Sequence, residues 1–594
     1  MRVLPIINRF NFGEVSPLIC ARGDLVKYQA GCKTLVNFIP LLQGPVRRRG
    51  GTRFIAKAAN GSSPVALLNF AFSETTTYIL EAGNHYLRFY CQGRQILKDG
   101  QPYQIETPWK QEDLFYPSGI CALKYVQSGD IIYIVSPGTP PQKLSRHGHD
   151  DWRLEELPGW NTAEQKRPNA VAIALWRERL CLAAGQTIYL SQSGAFENFE
   201  ITDPGEEAKD ETPPIAADDP IEVHTYSEQM DKIEWLCPSG GLLVGTSGGE
   251  FIVGETTSVD PLGPENIKVI PETAFGSTSI QALRVGAVVL FVQRAGRKVR
   301  EFVYDYSGDS YAAMDVTVAA EHITKGGLTS IVWQSEPIET LWAARPDGQL
   351  IGFTYCREQD MTAWHRHTLG GGGRVSHLAV IPATHGGHDE LWLSVAREVE
   401  GETVYYLETM DPGYDEEAGL EKAFFVDSGV TVTGQNLNTV EGLEHLEGLE
   451  ISLLADGGVQ PRQIVQNGMV KLQYPAGIIQ VGLPYDSILS TVNLEAQLAD
   501  GSVQSRLKRF TKVSLRLVDS AGGAAGPNLE ELEELEYRSG GNQTDEAPPL
   551  FSGDKVINWP EGYETEGTLT VVQRYPLPFT LAAIIPEVSV GGTQ

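Results

Sequence analysis

Residues 242–254 have the sequence LLVGTSGGEFIVG, in which two short apolar runs flank a Ser-Gly-Gly turn. Residues 343–355 have the sequence AARPDGQLIGFTY and place Pro-Asp-Gly between two similar runs. Glycine supplies the positive φ that tight hairpin turns need, while Pro and Asp favour the turn positions before it. Each segment therefore predicts a β-hairpin.

The same texture extends from about Val65 to Met410. Short apolar or alternating runs begin roughly every ten residues, and each ends at Gly, Pro, Asp or Asn, which is typical of β-sandwiches, barrels and propellers. About 345 residues in units of roughly 45 to 50 correspond to about seven four-stranded blades. The sequence therefore predicts a β-propeller-like central domain.

A chain of 594 residues is too long for one ordinary core, so two to four domains are expected. After Phe425 the β signals resume, with an Asp-Gly-Gly turn at 456–458 and an Asn-Gly turn at 467–468. We predict an all-β protein of three regions: an N-terminal basic arm and short helix at 1–60, a propeller-like domain at 61–425 and a β-rich region at 426–594.

The charge of the chain is strongly acidic and unevenly distributed. It has 47 Lys and Arg against 76 Asp and Glu, a net charge of −29, so its mean field repels nucleic acids and anionic membranes. The first 57 residues reverse this balance, with ten basic and two acidic residues. We therefore expect the N-terminal segment and the body to have different partners.

Residues 200–222 form an acidic tract with nine acids, one lysine and four prolines. Such a segment cannot bury a core, so we predict a solvated loop within the propeller region. Four of its acids are candidates for a subunit interface or a channel surface: Glu206, Glu207, Asp210 and Glu211.

Residues 24–38 have apolar side chains at helical spacing. Leu25, Tyr28, Cys32 and Leu35 are three or four positions apart, and Asp24 stands where an N-cap would be. The pattern predicts a short amphipathic helix.

Arg47, Arg48 and Arg49 are adjacent and precede two glycines. Three neighbouring arginines cannot be buried without partners, so we interpret this segment as an exposed basic turn. Together with Arg53, these arginines could contact DNA phosphates, or an acidic patch on another subunit. The acidity of the whole chain favours the second role, an assembly or docking contact.

Five of the eleven histidines lie between His365 and His388, and His365 and His367 would face the same side of a strand. A metal site is the alternative to packed or surface histidines, but no nearby Cys or Glu has a ligand-like spacing. The seven cysteines include no CxxC pair, which favours reduced thiols. We predict no metal and no cofactor.

Sequence motifs for catalysis are missing. The segment Gly370–Arg374 lacks the Lys-Ser/Thr of a phosphate-binding loop, and neither GxSxG nor HExxH occurs. Paired carboxylates for glycoside hydrolysis remain possible in so acidic a chain. A signal peptide is not evident, and the apolar runs are shorter than the roughly 18 residues of a membrane span. We expect a soluble protein, made in the cytoplasm, that is not an enzyme.

The N-terminal segment resembles the opening of a protein family. Residues 11–56 read NFGEVSPLICARGDLVKYQAGCKTLVNFIPLLQGPVRRRGGTRFIA. The shared features are a GE-x-SP start, an R-x-DL-x-KY segment, C-x-TL-x-NF and an RR-x-GT-RF turn. Residues 295–324, 347–371 and 440–458 look like later signatures of the same family. The chain is similar to the tail nozzle, or tail tubular protein B, proteins of short-tailed bacteriophages.

The resemblance implies a structural virion protein of the distal tail tube. It implies a β-propeller beside platform and nozzle parts, a homohexameric ring, docking onto the tail adaptor ring, and attachment of tail fibres or spikes. Double-stranded DNA would pass through without specific binding during ejection, and the tip would meet the host envelope. An acidic lumen would repel DNA, and the basic segment would dock onto an acidic neighbour.

Two further readings stay open at this point. One is a virion-associated hydrolase of polysaccharide or peptidoglycan, which would need a carboxylate pair in a pocket. The other is a monomeric propeller that binds glycans. A closed ring would instead need two different complementary faces on each subunit, for which the tract at 200–222 and the region His365–His388 are candidates.

Overall fold

A computed structural model of the chain describes residues 2–3, 5–73, 75–162, 165–201, 216–226, 231–257, 260–383, 387–498, 501–537, 547–560 and 562–591. Strands dominate, and the helices are short. These are one α-helical turn, Gln111–Leu114, and the 3-10 helices Pro17–Ile19, Tyr28–Ala30, Gly370–Gly372, Leu420–Lys422 and Glu444–Leu446. Within the described residues, no helix is long and apolar enough to cross a bilayer.

The central region is a ring of antiparallel blades. Across the described residues, seven successive sets of four strands are found. Blade 1 is Ala66–Ser73, Thr76–Gly83, Tyr86–Cys91 and Arg94–Gln95; blade 2 is Lys124–Ser128, Ile131–Ser136, Thr139–Arg146 and Trp152–Glu156; blade 3 is Ala172–Trp176, Arg179–Ala184, Thr187–Leu190 and Ile221–His224; blade 4 is Ile233–Pro238, Leu242–Thr246, Glu250–Gly254 and Lys268–Thr273. Blade 5 is Leu283–Val285, Val288–Val292, Val299–Asp305 and Ser310–Asp315; blade 6 is Ser330–Gln334, Thr340–Ala344, Leu350–Cys356 and Met361–His367; blade 7 is Arg374–Pro382, Asp389–Val399, Glu402–Met410 and Thr52–Lys57.

Hydrophobic packing between the blades closes the ring. Each blade shares a buried apolar cluster with the next, from blades 1 and 2 through blades 6 and 7. A further cluster, which includes Leu67, Ile79, Ile381 and Trp392, joins blade 7 back to blade 1. The all-β, propeller-like fold is therefore confirmed, and both hairpins predicted from their turns are present, in blades 4 and 6.

The outermost strand of blade 7 comes from the N-terminal side of the chain. Thr52–Lys57 pairs antiparallel with Glu402–Met410, so blade 7 contains strands from both ends of the propeller. We call Thr52–Lys57 the closing strand. It ties the start of the propeller to its end, as a ring of independent blades requires.

Two sheets form a sandwich beside the propeller. One consists of Arg2–Val3, Phe38–Pro40, Val46–Arg48, Lys508–Ser520, Phe551–Ile557 and Thr580–Val590. The other continues from blade 6 through Gly13–Glu14, Gly31–Val36, Ser487–Thr491, Thr570–Gln573, Ala524–Gly526 and Glu533–Glu534. Cys32 and Leu35 of one sheet pack against Leu515 and Ile584 of the other. The sandwich thus joins the first fifty residues to the last hundred.

A smaller unit extends from blade 7. The long strands Asp427–Val440 and Val470–Leu483 pair with each other, and Glu450–Ala455 and Gly458–Ile464 complete the sheet. Its own apolar core includes Leu446, Ile451 and Ile479. In blade 1, Gln104–Glu106 also pairs with Tyr86–Cys91. Two short hairpins lie outside the larger sheets, one of Leu97–Lys98 and Gln101–Pro102, the other of Gln497–Leu498 and Gly501–Ser502. The domain limits at 60 and 425 stay a prediction.

The predicted amphipathic helix over 24–38 is wrong. The segment contains the 3-10 helix Tyr28–Ala30 followed by the strand Gly31–Val36. A β-bulge between Cys32 and Thr34 breaks the two-residue alternation, so Cys32 and Leu35 both face the sandwich core. Their three-residue separation imitates helical spacing.

Candidate functional site at the joint between propeller and sandwich

The basic segment passes from the sandwich into the closing strand through Gly50 and Gly51. A Cβ at Gly51 would lie closer than 3.0 Å to the carbonyl oxygen of Val426, a distance that real Cβ atoms do not show. A Cβ at Gly50 would meet the backbone of Asp411 in the same way. The backbones therefore approach closely here, which explains why two glycines follow the arginines.

Arg49 lies at the centre of this crossing and is fully buried. Its Nη1 and Nη2 donate to the two carboxylate oxygens of Asp427, at 2.8 and 2.7 Å. The other N–H groups donate to Asn37 Oδ1 at 2.9 Å, Gly50 O at 2.9 Å and Thr368 O at 3.0 Å. All five guanidinium donors are used, as a buried arginine requires.

Asp427 is the buried counter-ion and accepts more than the arginine. Besides Arg49, its oxygens accept from the backbone N–H of Thr52 at 3.1 Å and of Gly370 at 2.7 Å. Burial alone raises the pKa of the Asp427 carboxyl, but Arg49 and these hydrogen bonds hold it below its usual value. The pair is therefore ionised at neutral pH.

A second buried ion pair lies beside the first. Arg397 donates to Glu408 at 2.6 and 2.9 Å, and its Nη1 donates to Gly370 O at 2.5 Å. Thr52 links the two pairs because its N–H donates to Asp427 while its hydroxyl donates to Glu408 at 2.5 Å. The closing strand is thereby bonded to blade 7 and to the 427–483 unit at the same residue.

Asn37 connects the sandwich to blade 6. It adopts a left-handed φ of 57°, which asparagine tolerates better than most residues. Its Oδ1 accepts from Arg49 Nε at 2.9 Å and from the backbone N–H of Thr368 at 3.0 Å. Its amide nitrogen donates to Asp486 O at 2.6 Å. We call the network of Asn37, Arg48, Arg49, Thr52, Thr368, Arg397, Glu408, Asp427 and Tyr485 the joint.

Arg48 is also buried in the joint, but its partners are backbone carbonyls and an aromatic ring. Its guanidinium donates to the backbone carbonyls of Tyr575, Leu577 and Tyr485, and it lies 4.4 Å from the centre of the Tyr485 ring. Among the described residues it has no carboxylate partner within ion-pair distance, and burial lowers its pKa. Carbonyl dipoles and an aromatic face compensate the charge in part.

The interpretation of 47–51 as an exposed basic turn is wrong for its central residues. Arg48 and Arg49 are each 1% exposed, and they bind groups of their own chain. Arg53 is partly buried and pairs with Asp411 at 2.8 Å, and Arg47 is half-buried. The docking role of these arginines stays a prediction, and the exposure that docking needs is found at Arg47 and Arg53.

Glu14 forms a second buried carboxylate site between the N-terminal segment and the propeller. It is 1% exposed and accepts from the backbone N–H of Leu35 at 2.7 Å. His322 Nε2 lies 2.9 Å from one of its oxygens, and Arg366 Nη2 lies 2.8 Å from the same oxygen. The GE-x-SP motif therefore has a structural role, since it fixes the first residues against blades 5 and 6.

The histidine-rich region is a packed part of blades 6 and 7. His365 and His367 face the same side of their strand, as predicted, with Nδ1 of one 2.6 Å from Nε2 of the other. Burial lowers the pKa of His365 to about 3 and that of His377 to about 4. His377 Nδ1 accepts from the backbone N–H of Leu67 at 3.0 Å. These three imidazoles are therefore neutral and hydrogen-bonded inside the protein.

Five residues named in the sequence analysis lie outside the described residues: Glu206, Glu207, Asp210, Glu211 and His385. All seven cysteines carry free thiols. Across the described ranges, no group of three or more His, Cys, Asp or Glu side chains is arranged to hold a metal ion. Asp427 was missed because its partner Arg49 is 378 positions away in the sequence.

Two solved structures are similar to part of this chain at low sequence identity. The structure of U3-55K matches 61% of this chain and 98% of its own, with 9% identity and a TM-score of 0.36. The crystal structure of RRP9 WD40 repeats matches 61% and 100%, with 8% identity and a TM-score of 0.38. No curated protein sequence matches the chain.

A family comparison covers the larger part of the propeller. The matched residues begin just before blade 3 and end after the first long strand of the 427–483 unit. They include Arg397, Glu408 and Asp427 of the joint. Residues 169–443 match the model of the bacteriophage nozzle protein family, which confirms the resemblance found in the sequence.

Proposed function

We propose that this protein is a ring-forming subunit of the distal tail tube of a short-tailed phage. The match of residues 169–443 to the nozzle family supports a structural role in the virion tail. Beyond that, we propose a homohexameric ring that docks onto the tail adaptor ring, carries fibres or spikes, and conducts DNA towards the host envelope. Its role is mechanical, without catalysis.

The observation that carries this proposal is the joint. Two bidentate ion pairs with side chains no more than 1% exposed meet at this point. Arg49–Asp427 joins the segment after the sandwich strand to the 427–483 unit, and Thr52 bonds that pair to Arg397–Glu408 within blade 7. Buried ion pairs of this kind contribute geometric specificity, because each arginine accepts only one orientation of its carboxylate. A conduit subunit needs that property, since its propeller and sandwich must keep their relative orientation while DNA passes.

The charge of the chain supports the conduit role. A protein of net charge −29 repels the phosphates of passing DNA and gives them no general binding surface. Arg48 and Arg49, the most concentrated positive charges in the sequence, are removed from the surface by burial. A conduit that held phosphates would slow ejection.

The proposal is tested by mass photometry and negative-stain imaging of the purified chain, alone and with its adaptor ring. We expect closed rings of six copies, formed alone or on the adaptor. A chain that stays monomeric in both conditions would contradict the ring. Turnover of capsule polysaccharide or peptidoglycan that is lost on a single Asp or Glu substitution would replace the proposal with a hydrolase.

Docking is tested separately by Arg47→Glu. Arg47 is half-buried in a sandwich strand, and reversing its charge should weaken binding to an acidic adaptor surface. Arg94→Glu makes the same charge change at an exposed position of blade 1 and serves as the control. Equal adaptor binding by the two variants would exclude Arg47 from docking.

A further inference from the structure

The two long strands of the 427–483 unit are almost free of charge. Asp427–Val440 and Val470–Leu483 contain 14 residues each, and only Asp427 and Lys471 are charged. The chain as a whole is 21% charged, which would place about six charges in 28 positions. Asp427 is itself buried in the joint, so it adds no charge to the surface.

The outward face of these strands is exposed and polar. Val432 and Leu437 pack on the core of the unit, while their neighbours Thr433 and Asn438 are exposed. Tyr474 of the second strand is 65% exposed. We call the exposed residues of 433–438 and 473–475 the neutral strip; its members are Thr433, Gly434, Gln435, Asn436, Asn438, Gln473, Tyr474 and Pro475.

The strip runs along an open strand edge. The first long strand meets the closing strand only at Gly429, opposite Arg53. Beyond that point, no strand among the described residues pairs with its outer edge. Exposed edges in soluble proteins are usually protected by Lys, Pro or another charged residue, because free N–H and C=O groups attract other strands. Residues 433–438 contain none of these side chains, and only the register shifts on either side of Leu437 make the edge irregular. An edge without charge is expected where it is covered in the assembled state.

We infer that the neutral strip is a contact between neighbouring copies of this chain. This inference rests on the proposed ring. Two copies that each carry a charge of −29 repel each other, so their contact is favoured where charge is absent and desolvation of ions is avoided. DNA or an anionic membrane would instead require a basic surface. In a closed ring the strip faces a different surface of the next copy.

The test introduces charge at two exposed positions, Thr433→Glu with Asn438→Glu. The matched control is Gln101→Glu with Gln104→Glu, which adds the same charge at exposed positions of two short strands that follow blade 1. Assembly is measured by sedimentation velocity over a range of concentrations, and folding by circular dichroism. We expect the strip variant to need at least about tenfold more protein for half-assembly, because like charges brought together at an interface strongly disfavour it. The control should match the unmodified chain.

Salt supplies a second readout. Electrostatic repulsion is screened at high ionic strength, so the defect of the strip variant should shrink between about 0.05 and 0.5 M salt. If the glutamate variant does not fold, Tyr474→Ser takes its place in the test. This substitution removes an exposed ring without adding charge, and it should also weaken assembly. Rings that form equally well in the strip variants and the control overturn this inference and leave the proposed function standing. A chain that stays monomeric even with the adaptor overturns both.

Discussion

Arg49→Met tests whether the joint stabilises the protein through its ion pair. The substitution keeps an unbranched apolar side chain in place but leaves Asp427 buried without its cation. Asp427 then retains only the N–H donors of Thr52 and Gly370. Removing one partner of a buried pair costs about 3–5 kcal/mol, because the remaining charge is uncompensated. We expect a loss of that size in the free energy of unfolding at pH 7.

The stability that Arg49→Met loses should depend on pH, and the direction follows from the pKa of Asp427. In the unmodified protein the pKa of Asp427 is lowered, so the stability that the pair contributes is complete above the ordinary carboxyl pKa of about 4 and is lost as pH falls through the lower folded value. Without Arg49, burial raises the pKa of Asp427, and the folded variant takes up a proton more readily. The deficit of the variant should therefore narrow as pH falls from 7 towards 4.

The measurement is urea unfolding at both pH values, with hydrogen exchange at the amides of Thr52 and Gly370 to identify the transition that includes the joint. Arg22→Met is the matched control, because Arg22 and Asp24 form a bidentate pair at 2.8 Å whose side chains are 55% and 65% exposed. That control should behave like the unmodified protein. A loss below about 1 kcal/mol at pH 7, or an equal deficit at both pH values, would refute the reasoning.

Two further changes test other parts of the fold. Gly51→Ala should destabilise the protein strongly, since its Cβ would meet the Val426 carbonyl, whereas Gly254→Ala meets open space and should leave the melting temperature unchanged; equal melting temperatures would contradict the close approach. Burial lowers the pKa of Lys124, in the innermost strand of blade 2, to about 8 from 10.5. The unfolded chain therefore binds more protons between these values, and stability should rise with pH there relative to Lys124→Met, by a total on the order of 3 kcal/mol; parallel pH profiles of the two proteins would contradict the lowered pKa.

Local signals predicted the blades well. The hairpins at 242–254 and 343–355 follow from turn residues that act within a few positions, and the regular spacing of apolar runs gave about seven blades. The seven apolar clusters between successive blades account for that regularity, because each blade must present one face to each neighbour.

Long-range contacts were beyond the same reasoning. Arg49 and Asp427 are 378 positions apart, so a single sequence gives no sign that the arginine has a buried partner. The three adjacent arginines suggested an exposed segment, but Arg48 and Arg49 are both buried, each with its own set of partners. The β-bulge at Cys32 caused the wrong helix prediction, because it places Cys32 and Leu35 on the same face of a strand at a spacing typical of a helix. Only the motif resemblance indicated that this segment matters.

The closing strand limits how much of the protein can fold while it is still being synthesised on the ribosome. Thr52–Lys57 emerges early but pairs with Glu402–Met410, and Gly31–Val36 pairs with Ser487–Thr491. At about 5–20 residues per second, the N-terminal strands wait on the order of 20–90 s for their partners. A chain that ends prematurely never completes the sandwich and keeps apolar strands unpaired. The N-terminal strands therefore remain exposed to other chains until translation reaches the C-terminal strands.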